Sequence, residues 1–327
     1  MFVMQNTLIF STKNMIDFKV TSIQQLIREF SDEQKCVEFL EKARWGGKVV
    51  SPFDPSSRVY KLKNNRYRCK NTGKTFNART GTIFEASNIK LNVWFVAIFL
   101  YTTHKGGLSS MELHREIGVT QKTAWFMTQR MREALVFENQ DVTLYNIVEV
   151  DETFVGGKNK NRHGWKKVKD AQGRSCKDKT AVFGMIERLR GRVSAHVVKS
   201  TSKEDLLPHI QRSVDITACV MSDEWMAYRD LDKIYDHLFV NHGEKQYVND
   251  DAHTNNIENF WSQFKRGVIG VYRKLSNFHL QRYVDEFVFR RNTCNFATGD
   301  RFAYLLEHVE GSRLRYKDLI KGKARNS

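Results

Sequence analysis

The sequence predicts an α/β (α+β) protein whose main part is a mixed β-sheet with helices on its faces. Two apolar, strand-like runs end at Asp151 and Asp223, and residues 180–198 between them are apolar on both sides of a turn, which predicts a hairpin. A helix is predicted over residues 202–214, with Ser202 as its cap. The order strand, hairpin, helix, strand, helix is that of ribonuclease-H-like domains.

Smaller elements are predicted ahead of this sheet. Residues 21–44 have the pattern of one or two short helices, and residues 59–69 form a predicted hairpin with Asn64 and Asn65 at its turn. A loop with two prolines separates them. Residues 91–136 then form a helical block, so helices and a small hairpin precede the larger sheet.

Within the helical block, a helix-turn-helix is one of two interpretations. Gly118 interrupts the helical pattern, and Thr120 is suited to cap the helix that follows. A helix, a glycine-containing turn and a second, basic helix are typical of DNA-binding helix-turn-helix units. A plain helical linker bundle fits the pattern nearly as well. The second helix is predicted to expose its polar residues, namely Gln121, Lys122, Gln129, Arg130 and Arg132.

Composition indicates the kind of partner. The chain has 327 residues, with 53 Lys and Arg against 37 Asp and Glu, and a net charge of +16. Such an excess favours a polyanion, because basic side chains that neutralise phosphates release condensed counterions. A ribosome-associated or merely basic protein is the alternative. The longest apolar run, residues 93–101, has about half the length that spans a bilayer, so we expect no membrane association.

Three carboxylates are the predicted chemical centre: Asp151, Asp223 and Glu258, the last at the start of an amphipathic helix. The separation is 72 residues between the two aspartates and 35 residues between Asp223 and Glu258. This spacing lets two neighbouring strand ends and one crossing helix direct three acids to one point. Oxygen ligands of this kind hold Mg²⁺ or Mn²⁺, and two such ions about 3.5–4 Å apart can drive phosphodiester chemistry.

Each acid also has a simpler interpretation. Asp151 could cap a turn before a Gly-Gly bend, Asp223 could cap a helix, and Glu258 could be a solvated residue beside a buried stripe. Glu152 and Glu224 compete for the same roles as the aspartates that precede them. Side chains alternate along a strand, so only one residue of each pair can face the site. We choose the two aspartates.

Basic residues near these acids are the predicted DNA contacts. Lys265 lies about two helical turns after Glu258 and shares its face, where a lysine could hold a phosphate. Residues 158–169 are rich in lysine and offer Trp165 for base stacking, although such a run is equally often a mobile, solvated loop. The predicted DNA contacts are Gln121, Lys122, Arg130, Lys158, Lys160, Lys166, Lys167, Lys265 and Arg266.

Four blocks of sequence carry a resemblance to a known family. They are Gly118-Val-Thr-Gln-Lys-Thr-Ala-Trp125, Val150-Asp-Glu-Thr-Phe-Val-Gly-Gly-Lys158, His253-Thr-Asn-Asn-Ile-Glu-Asn-Phe-Trp-Ser-Gln-Phe-Lys-Arg266 and Tyr283-Val-Asp-Glu-Phe-Val-Phe-Arg-Arg-Asn292. With further matches over about residues 36–292, they resemble DDE-type insertion-sequence transposases of the ISXO type, related to Merlin-class DNA transposons. The resemblance implies that Asp151, Asp223 and Glu258 are the catalytic, metal-binding triad and that Lys265 is the basic residue that follows it.

One part of the family pattern is eroded. Members usually carry a zinc ribbon with two Cys-x-x-Cys pairs ahead of the helix-turn-helix. Ser51-Pro-Phe-Asp54 stands in place of the first pair and Cys69-Lys-Asn-Thr72 in place of the second, so three of the four ligands are absent and zinc is not expected. The 5 cysteines of the chain form no Cys-x-x-Cys pair and indicate a reducing cytoplasm.

The resemblance implies a transposase of a bacterial insertion sequence that cuts and joins DNA at transposon ends with Mg²⁺ or Mn²⁺. The alternatives are a non-catalytic DNA-binding regulator derived from such an element and a ribonuclease-H-like nuclease without strand transfer. The expected partners are double-stranded DNA, as terminal repeats and target, and further copies of the chain in a homodimer or larger assembly on the nucleoid. The expected domains are residues 1–90 with the degenerate zinc-ribbon hairpin, 91–140 with the helix-turn-helix, 141–310 with the catalytic sheet, and the basic tail 311–327.

Overall fold

The computed structural model describes residues 20–140, 142–157, 159–161, 163–169, 176–223, 231–240 and 253–321. The helices are α1 Ile23–Glu29, α2 Glu33–Trp45, α3 Leu91–Thr103, α4 Ser110–Ile117, α5 Gln121–Glu133, α6 Phe137–Gln140, α7 Lys203–Ser213, α8 Asn255–Gly267, α9 Leu280–Asn292, α10 Thr298–Glu307 and α11 Tyr316–Lys321. The strands are β1 Val59–Lys61, β2 Tyr67–Cys69, β3 Thr75–Phe76, β4 Ile147–Val155, β5 Thr180–Glu187, β6 Val193–Val198, β7 Cys219–Asp223 and β8 Asp236–Val240.

Packing divides the chain into two compact units. The first comprises Met1–Thr103 and Phe296–Leu314, and the second comprises His104–Asn295 and Arg315–Ser327. The helical block expected as one region is therefore shared, because α3 packs in the first unit and α4 to α6 in the second. The predicted assignment of functions to domains remains a prediction.

The first unit combines a small sheet with a helical core. Strands β1, β2 and β3 form an antiparallel sheet in that order. Asn64 and Asn65 connect β1 and β2 with φ angles of 58° and 53°, and this left-handed backbone suits the tight hairpin turn that the sequence predicts. The core is aromatic: the Phe95 ring lies 4.8 Å from that of Phe30 and 5.5 Å from that of Phe302, both edge-on.

The second unit begins with the helix-turn-helix geometry. Ser109 caps α4 by accepting a hydrogen bond from the Glu112 amide at 3.1 Å, and α4 ends at Gly118 in the left-handed conformation (φ 69°). Thr120 then caps α5 by accepting from the Thr123 amide at 3.2 Å. The predicted helix, glycine turn and capped second helix are therefore confirmed as local structure.

A five-stranded mixed sheet follows, with the order β6-β5-β4-β7-β8. Strands β4, β5 and β6 are antiparallel neighbours, whereas β7 is parallel to β4 and β8 is parallel to β7. This order and these directions confirm the ribonuclease-H-like fold class. One boundary was wrong: β4 continues beyond Asp151 as far as Val155, because residues 152–155 keep pairing with β5 up to Thr180. Asp223 does end β7, as predicted.

Each face of this sheet carries its own core. Val148 and Val150 of β4 face a cluster with Leu206 and Ile210 of α7. Ser202 stands at the N-cap position of α7, but its side chain makes no capping hydrogen bond. Helices α8 and α9 cover the opposite face, where apolar residues of β5 and β6 meet them. Because side chains alternate along a strand, Glu149 and Asp151 point to the α8 face.

Two further predictions concern the ends of the chain and membranes. Part of the expected basic tail is ordered as α11, where the Tyr316 ring packs edge-on against Phe126 of α5 at 5.4 Å. Among the described helices, none combines the length and the apolar character needed to cross a bilayer.

Candidate active site

The two predicted aspartates lie on neighbouring parallel strands. Ile147 is opposite Cys219 and Glu149 is opposite Met221, a constant offset of 72 residues. Asp151 and Asp223 are separated by the same 72 residues, and each lies two residues beyond the last pair of this ladder, Glu149 and Met221. Both belong to the same face of the sheet, and both are partly exposed.

Glu258 belongs to α8, the helix that covers this face. It lies in the first turn of the helix, is exposed, and accepts a hydrogen bond from the Thr254 hydroxyl at 3.3 Å. The helix approaches the sheet closely at Gly184, the residue that pairs with Asp151: a Cβ built on Gly184 would lie 2.5 Å from the nearest carbon of the Trp261 ring. A glycine opposite Asp151 therefore lets the helix that carries Glu258 lie flat on the sheet.

A buried carboxylate, Glu149, joins the sheet to the start of α8. Its side chain is 0% exposed, and its Oε2 accepts hydrogen bonds from the amides of Asn256 at 2.9 Å and Ile257 at 3.1 Å. Its Oε1 accepts from the Asn256 side-chain amide at 2.8 Å and from Arg188 Nε at 2.7 Å. The His253 ring places its Nδ1 atom 3.3 Å from the same Oε1.

The three carboxylates are suitable ligands for divalent cations. In this structure, however, they lie too far apart for all three to bind a single ion. Among the described residues, the one set of three His, Cys, Asp or Glu side chains with ligand atoms all within 4.8 Å of one another is His104, Glu112 and Glu116 at the helix-turn-helix. Mutual repulsion keeps carboxylates apart, and two cations about 3.5–4 Å apart need ligands spread over a wider span than one ion does. Three carboxylates on one face suit a pair of hard cations.

The predicted basic contacts of this region are partly described. Lys265 and Arg266 are exposed in the last turn of α8, and Lys167 is exposed beside Trp165, whose side chain is 80% exposed. Lys158 lies outside the described residues, as does Glu224, and so do the side chains of Lys160 and Lys166. The DNA contacts of all these residues remain predictions.

In the helix-turn-helix, the predicted exposure is correct at the start of α5 and wrong at its end. Gln121 and Lys122 are exposed, whereas Gln129, Arg130 and Arg132 are only 0%, 5% and 1% exposed. The reason is that α5 packs on α9, which supplies partners: Arg132 Nε donates to Glu286 at 2.8 Å, and the Gln129 amide donates to a tyrosine hydroxyl of α9 at 3.3 Å. Arg130 stacks on the Phe126 ring at 4.3 Å, so it is not an exposed DNA contact.

The four positions of the degenerate zinc ribbon still hold a polar cluster. Ser51 is 1% exposed and its hydroxyl accepts from the amides of Phe53 at 3.2 Å and Asp54 at 3.4 Å. Burial raises the pKa of the Cys69 thiol, but hydrogen bonds from hydroxyls, among them those of Ser51 and Thr72, outweigh this effect and lower its pKa to about 6. Hydroxyl groups therefore gather around the one remaining cysteine where the family pattern has thiolates.

Sequence reasoning missed Glu149 and Gly184, although each left a signal. Glu149 is a carboxylate inside an apolar strand, and a buried charge needs partners to compensate its desolvation. Gly184 lies in the interior of a strand, where glycine often marks the close approach of another element. The residues of α8 that contact Glu149 and Gly184 are more than 70 positions away in the chain, and the sequence alone does not identify them.

Comparison with known proteins relates part of the chain to a family. The family profile described as "ISXO2-like transposase domain" matches residues 143–292, which span the whole sheet, α8 and α9. Residues 143–292 of the chain are therefore similar to the ISXO2-like transposase family. The chain is also 28% identical over 277 residues to an uncharacterized protein in transposable element ISH50 of Halobacterium salinarum (strain ATCC 700922 / JCM 11081 / NRC-1), with 81% of this chain and 92% of the relative covered.

Solved structures similar to this chain are distant. The HTLV-2 integrase catalytic core domain in complex with magnesium is 12% identical, with 45% of this chain and 84% of that chain covered and a TM-score of 0.26. The Mos1 mariner paired end complex with Mn is 13% identical, with 92% and 97% covered and a TM-score of 0.27. Scores this low do not allow a comparison of the sites.

Proposed function

We propose that this protein is a transposase that cleaves DNA at the ends of its insertion sequence and joins those ends to target DNA, using Mg²⁺ or Mn²⁺. The observation that supports the proposal is the common face: β4 and β7 pair in parallel with an offset of 72 residues, the same number that separates Asp151 from Asp223, and α8, whose first turn contains Glu258, packs on that face. Bound divalent cations would supply an activated water or DNA 3′-hydroxyl and stabilise the leaving oxygen.

The residues of the chain have separate roles in this proposal. Asp151, Asp223 and Glu258 would hold the cations. The two aspartates are held in place by the strands of the sheet, and Glu258 is held in place by the first turn of α8. Lys265 and Arg266, exposed on the same helix, would bind phosphates of the DNA end. Gln121 and Lys122 at the start of α5 would contact the terminal repeat, since the first residues of a recognition helix reach base edges.

Names of similar proteins also support DNA as the substrate. The Mos1 structure is described as a paired end complex, and the 28%-identical relative belongs to a transposable element. Coordinated cleavage of two ends by such a complex would require at least two copies of this chain. The assembly is therefore part of the proposal.

Isosteric neutralisation of the triad tests the proposal. The variants are Asp151→Asn, Asp223→Asn and Glu258→Gln, and the matched control is Glu152→Gln, which neutralises a carboxylate on the opposite face of the same strand. We expect each triad variant to lose cleavage of labelled terminal DNA in Mg²⁺ or Mn²⁺ while it still binds that DNA, and the control to keep both activities. Retained cleavage in two triad variants would exclude this site.

Strand transfer separates the proposal from the two alternatives. Precleaved terminal DNA is incubated with a supercoiled target and the wild-type protein. A joined product is expected of a transposase, cleavage without joining would identify a nuclease, and binding without cleavage would identify a regulator. Lys265→Ala is expected to weaken binding of the DNA end and to reduce its salt dependence by about one charge.

A further inference from the structure

The proposed mechanism does not use Glu149, a buried charged group that lies close to the site in sequence. It lies on β4 two residues before Asp151, so both side chains belong to the same face of the sheet. Its side chain is 0% exposed. A carboxylate is costly to bury, and it stays charged at such a position only where hydrogen bonds and opposite charges compensate the loss of water.

The carboxylate takes the place of a capping residue for α8. The N-cap residue of this helix, Thr254, makes no side-chain capping bond, which leaves the first amides of the helix in need of acceptors. Glu149 Oε2 accepts from two of them, Asn256 at 2.9 Å and Ile257 at 3.1 Å. A negative charge at the N-terminus of a helix is also favoured by the helix dipole.

Arg188 locks the same carboxylate from the other side. Its Nε donates to Glu149 Oε1 at 2.7 Å, its Nη2 donates to the His253 carbonyl at 2.7 Å, and its backbone amide donates to the carbonyl of Ile147 at 2.9 Å. The arginine therefore ties the segment before α8, the carboxylate and strand β4 into one unit. Glu149 is held in place and in turn holds the start of α8.

We propose that Glu149 is a positioning residue for Glu258. The first turn of α8 contains both the amides that Glu149 binds and the carboxylate that would complete the metal site, whereas Asp151 and Asp223 are placed by the strand ladder. Glu149 thus fixes the one ligand that the sheet does not place. This inference rests on the proposed function, because it assigns a role toward the same cations.

The variant Glu149→Gln keeps the size of the side chain and removes the charge and one acceptor. The glutamine amide can take two orientations. In one, its nitrogen faces Arg188 Nε and the Asn256 side chain, and in the other it faces the two helix amides. All of these groups are hydrogen-bond donors, so the nitrogen cannot accept from them. The first turn of α8 loses part of its hold in both orientations. Groups that orient a metal ligand typically change metal affinity about 10- to 100-fold, and a loss in this range is expected for Mn²⁺.

The chain offers a matched control in Glu187. This residue is on the adjacent strand β5, its side chain is also 0% exposed, and it lies near an arginine, Arg190, at 3.6 Å. It accepts a hydrogen bond from the Tyr145 amide at 3.3 Å and makes none of the described bonds to α8. Glu187→Gln therefore removes a comparable buried charge without releasing the helix.

The experiment measures Mn²⁺ binding to the full chain without DNA by electron paramagnetic resonance, together with hydrogen exchange. Glu258→Gln is expected to weaken Mn²⁺ binding, Glu149→Gln to weaken it about 10- to 100-fold, and Glu187→Gln to match the wild type. Hydrogen exchange at the Asn256 and Ile257 amides is expected to accelerate in Glu149→Gln alone. If Glu149→Gln does not fold, Asn256→Ala removes one partner from the helix side and is expected to weaken Mn²⁺ binding several-fold.

The outcomes separate the two proposals. Mn²⁺ affinity that is unchanged in Glu258→Gln would overturn the proposed metal site itself. Weaker binding in Glu258→Gln, with Glu149→Gln equal to the Glu187→Gln control, would leave the metal site standing and overturn the positioning role. Equal losses in both buried variants would also overturn it, because they would report a general loss of stability.

Discussion

A single methyl group at Gly184 should move α8 and, with it, Glu258. A Cβ built at this position lies 2.5 Å and 2.7 Å from two carbons of the Trp261 ring and 3.2 Å from the Ile257 side chain. Trp261 is only 3% exposed and packs against the Phe264 ring at 6.3 Å. The indole is therefore enclosed, and we expect the helix to shift.

The size of the effect follows from the contact distances. Carbon atoms rest about 3.5–4.0 Å apart, so Gly184→Ala requires the ring to retreat by about 1 Å. Overpacking of this kind typically costs about 1–3 kcal/mol of the free energy of unfolding. Trp261 lies three residues after Glu258, on the next turn of the helix, and a misplacement of about 1 Å can reduce a catalytic rate about 100-fold.

The assay compares cleavage of labelled terminal DNA with the free energy of unfolding from urea titrations. The matched control is Gly270→Ala, because a Cβ at Gly270 meets no atom within 4 Å. We expect Gly184→Ala to fold, to lose about 1–3 kcal/mol and to cleave about 100-fold more slowly, whereas the control changes neither quantity. Adding Trp261→Phe to Gly184→Ala should restore part of both, since the smaller ring leaves room for the methyl group. Wild-type cleavage by Gly184→Ala would refute the close approach.

Three further predictions concern other parts of the chain. Burial and two neighbouring basic side chains lower the pKa of His196 to about 3. Between about pH 6.5 and 3 the unfolded state therefore binds more protons than the folded state. The free energy of unfolding should fall by up to about 2 kcal/mol when the pH is lowered from 6.5 to 5. Urea titrations should show a weaker pH dependence in His196→Gln. Glu286→Gln leaves the buried Arg132 without its charged partner at 2.8 Å. It should lower the free energy of unfolding, measured by thermal unfolding, by about 3–5 kcal/mol. Asp318→Asn, which changes an exposed ion pair, should leave the melting temperature unchanged. Purified protein should contain far less than one zinc per chain by mass spectrometry, and Cys69→Ser should not change that content; stoichiometric zinc would contradict the hydroxyl cluster as its replacement.

Local sequence signals predicted the secondary structure well where a pattern is complete within a few residues. The Asn64-Asn65 turn, the break in the helical pattern at Gly118 and the cap at Thr120 each depend on neighbours along the chain, and the structure contains all of them. The hairpin of β5 and β6 follows from alternation and a turn in the same way. These features need no knowledge of distant contacts.

The errors arose where a distant partner decides. Arg132 is predicted to be exposed together with the other polar residues of α5, but Glu286, 154 residues away, compensates its charge inside the protein. Asp151 was predicted to end its strand, because the apolar pattern stops there, yet pairing with β5 continues to Val155. Polar residues can extend a strand or enter a core when the opposing element supplies hydrogen-bonding or charged partners. The neighbouring residues in the sequence do not identify that opposing element.

The same distinction explains which part of the site is most easily disturbed. Asp151 lies within a strand that is hydrogen-bonded on both sides, and Asp223 closes a strand that pairs with β4 and β8. Glu258 has no such ladder, because α8 is placed by side chains. Glu149 accepts hydrogen bonds from the first turn of α8, and Gly184 leaves space for Trp261 in the middle of that helix. Gly267, near the end of α8, leaves space for the Phe287 ring of α9. Substitutions at these three supports should therefore impair cleavage while every carboxylate of the triad remains, and that is the signature that distinguishes a misplaced ligand from a missing one.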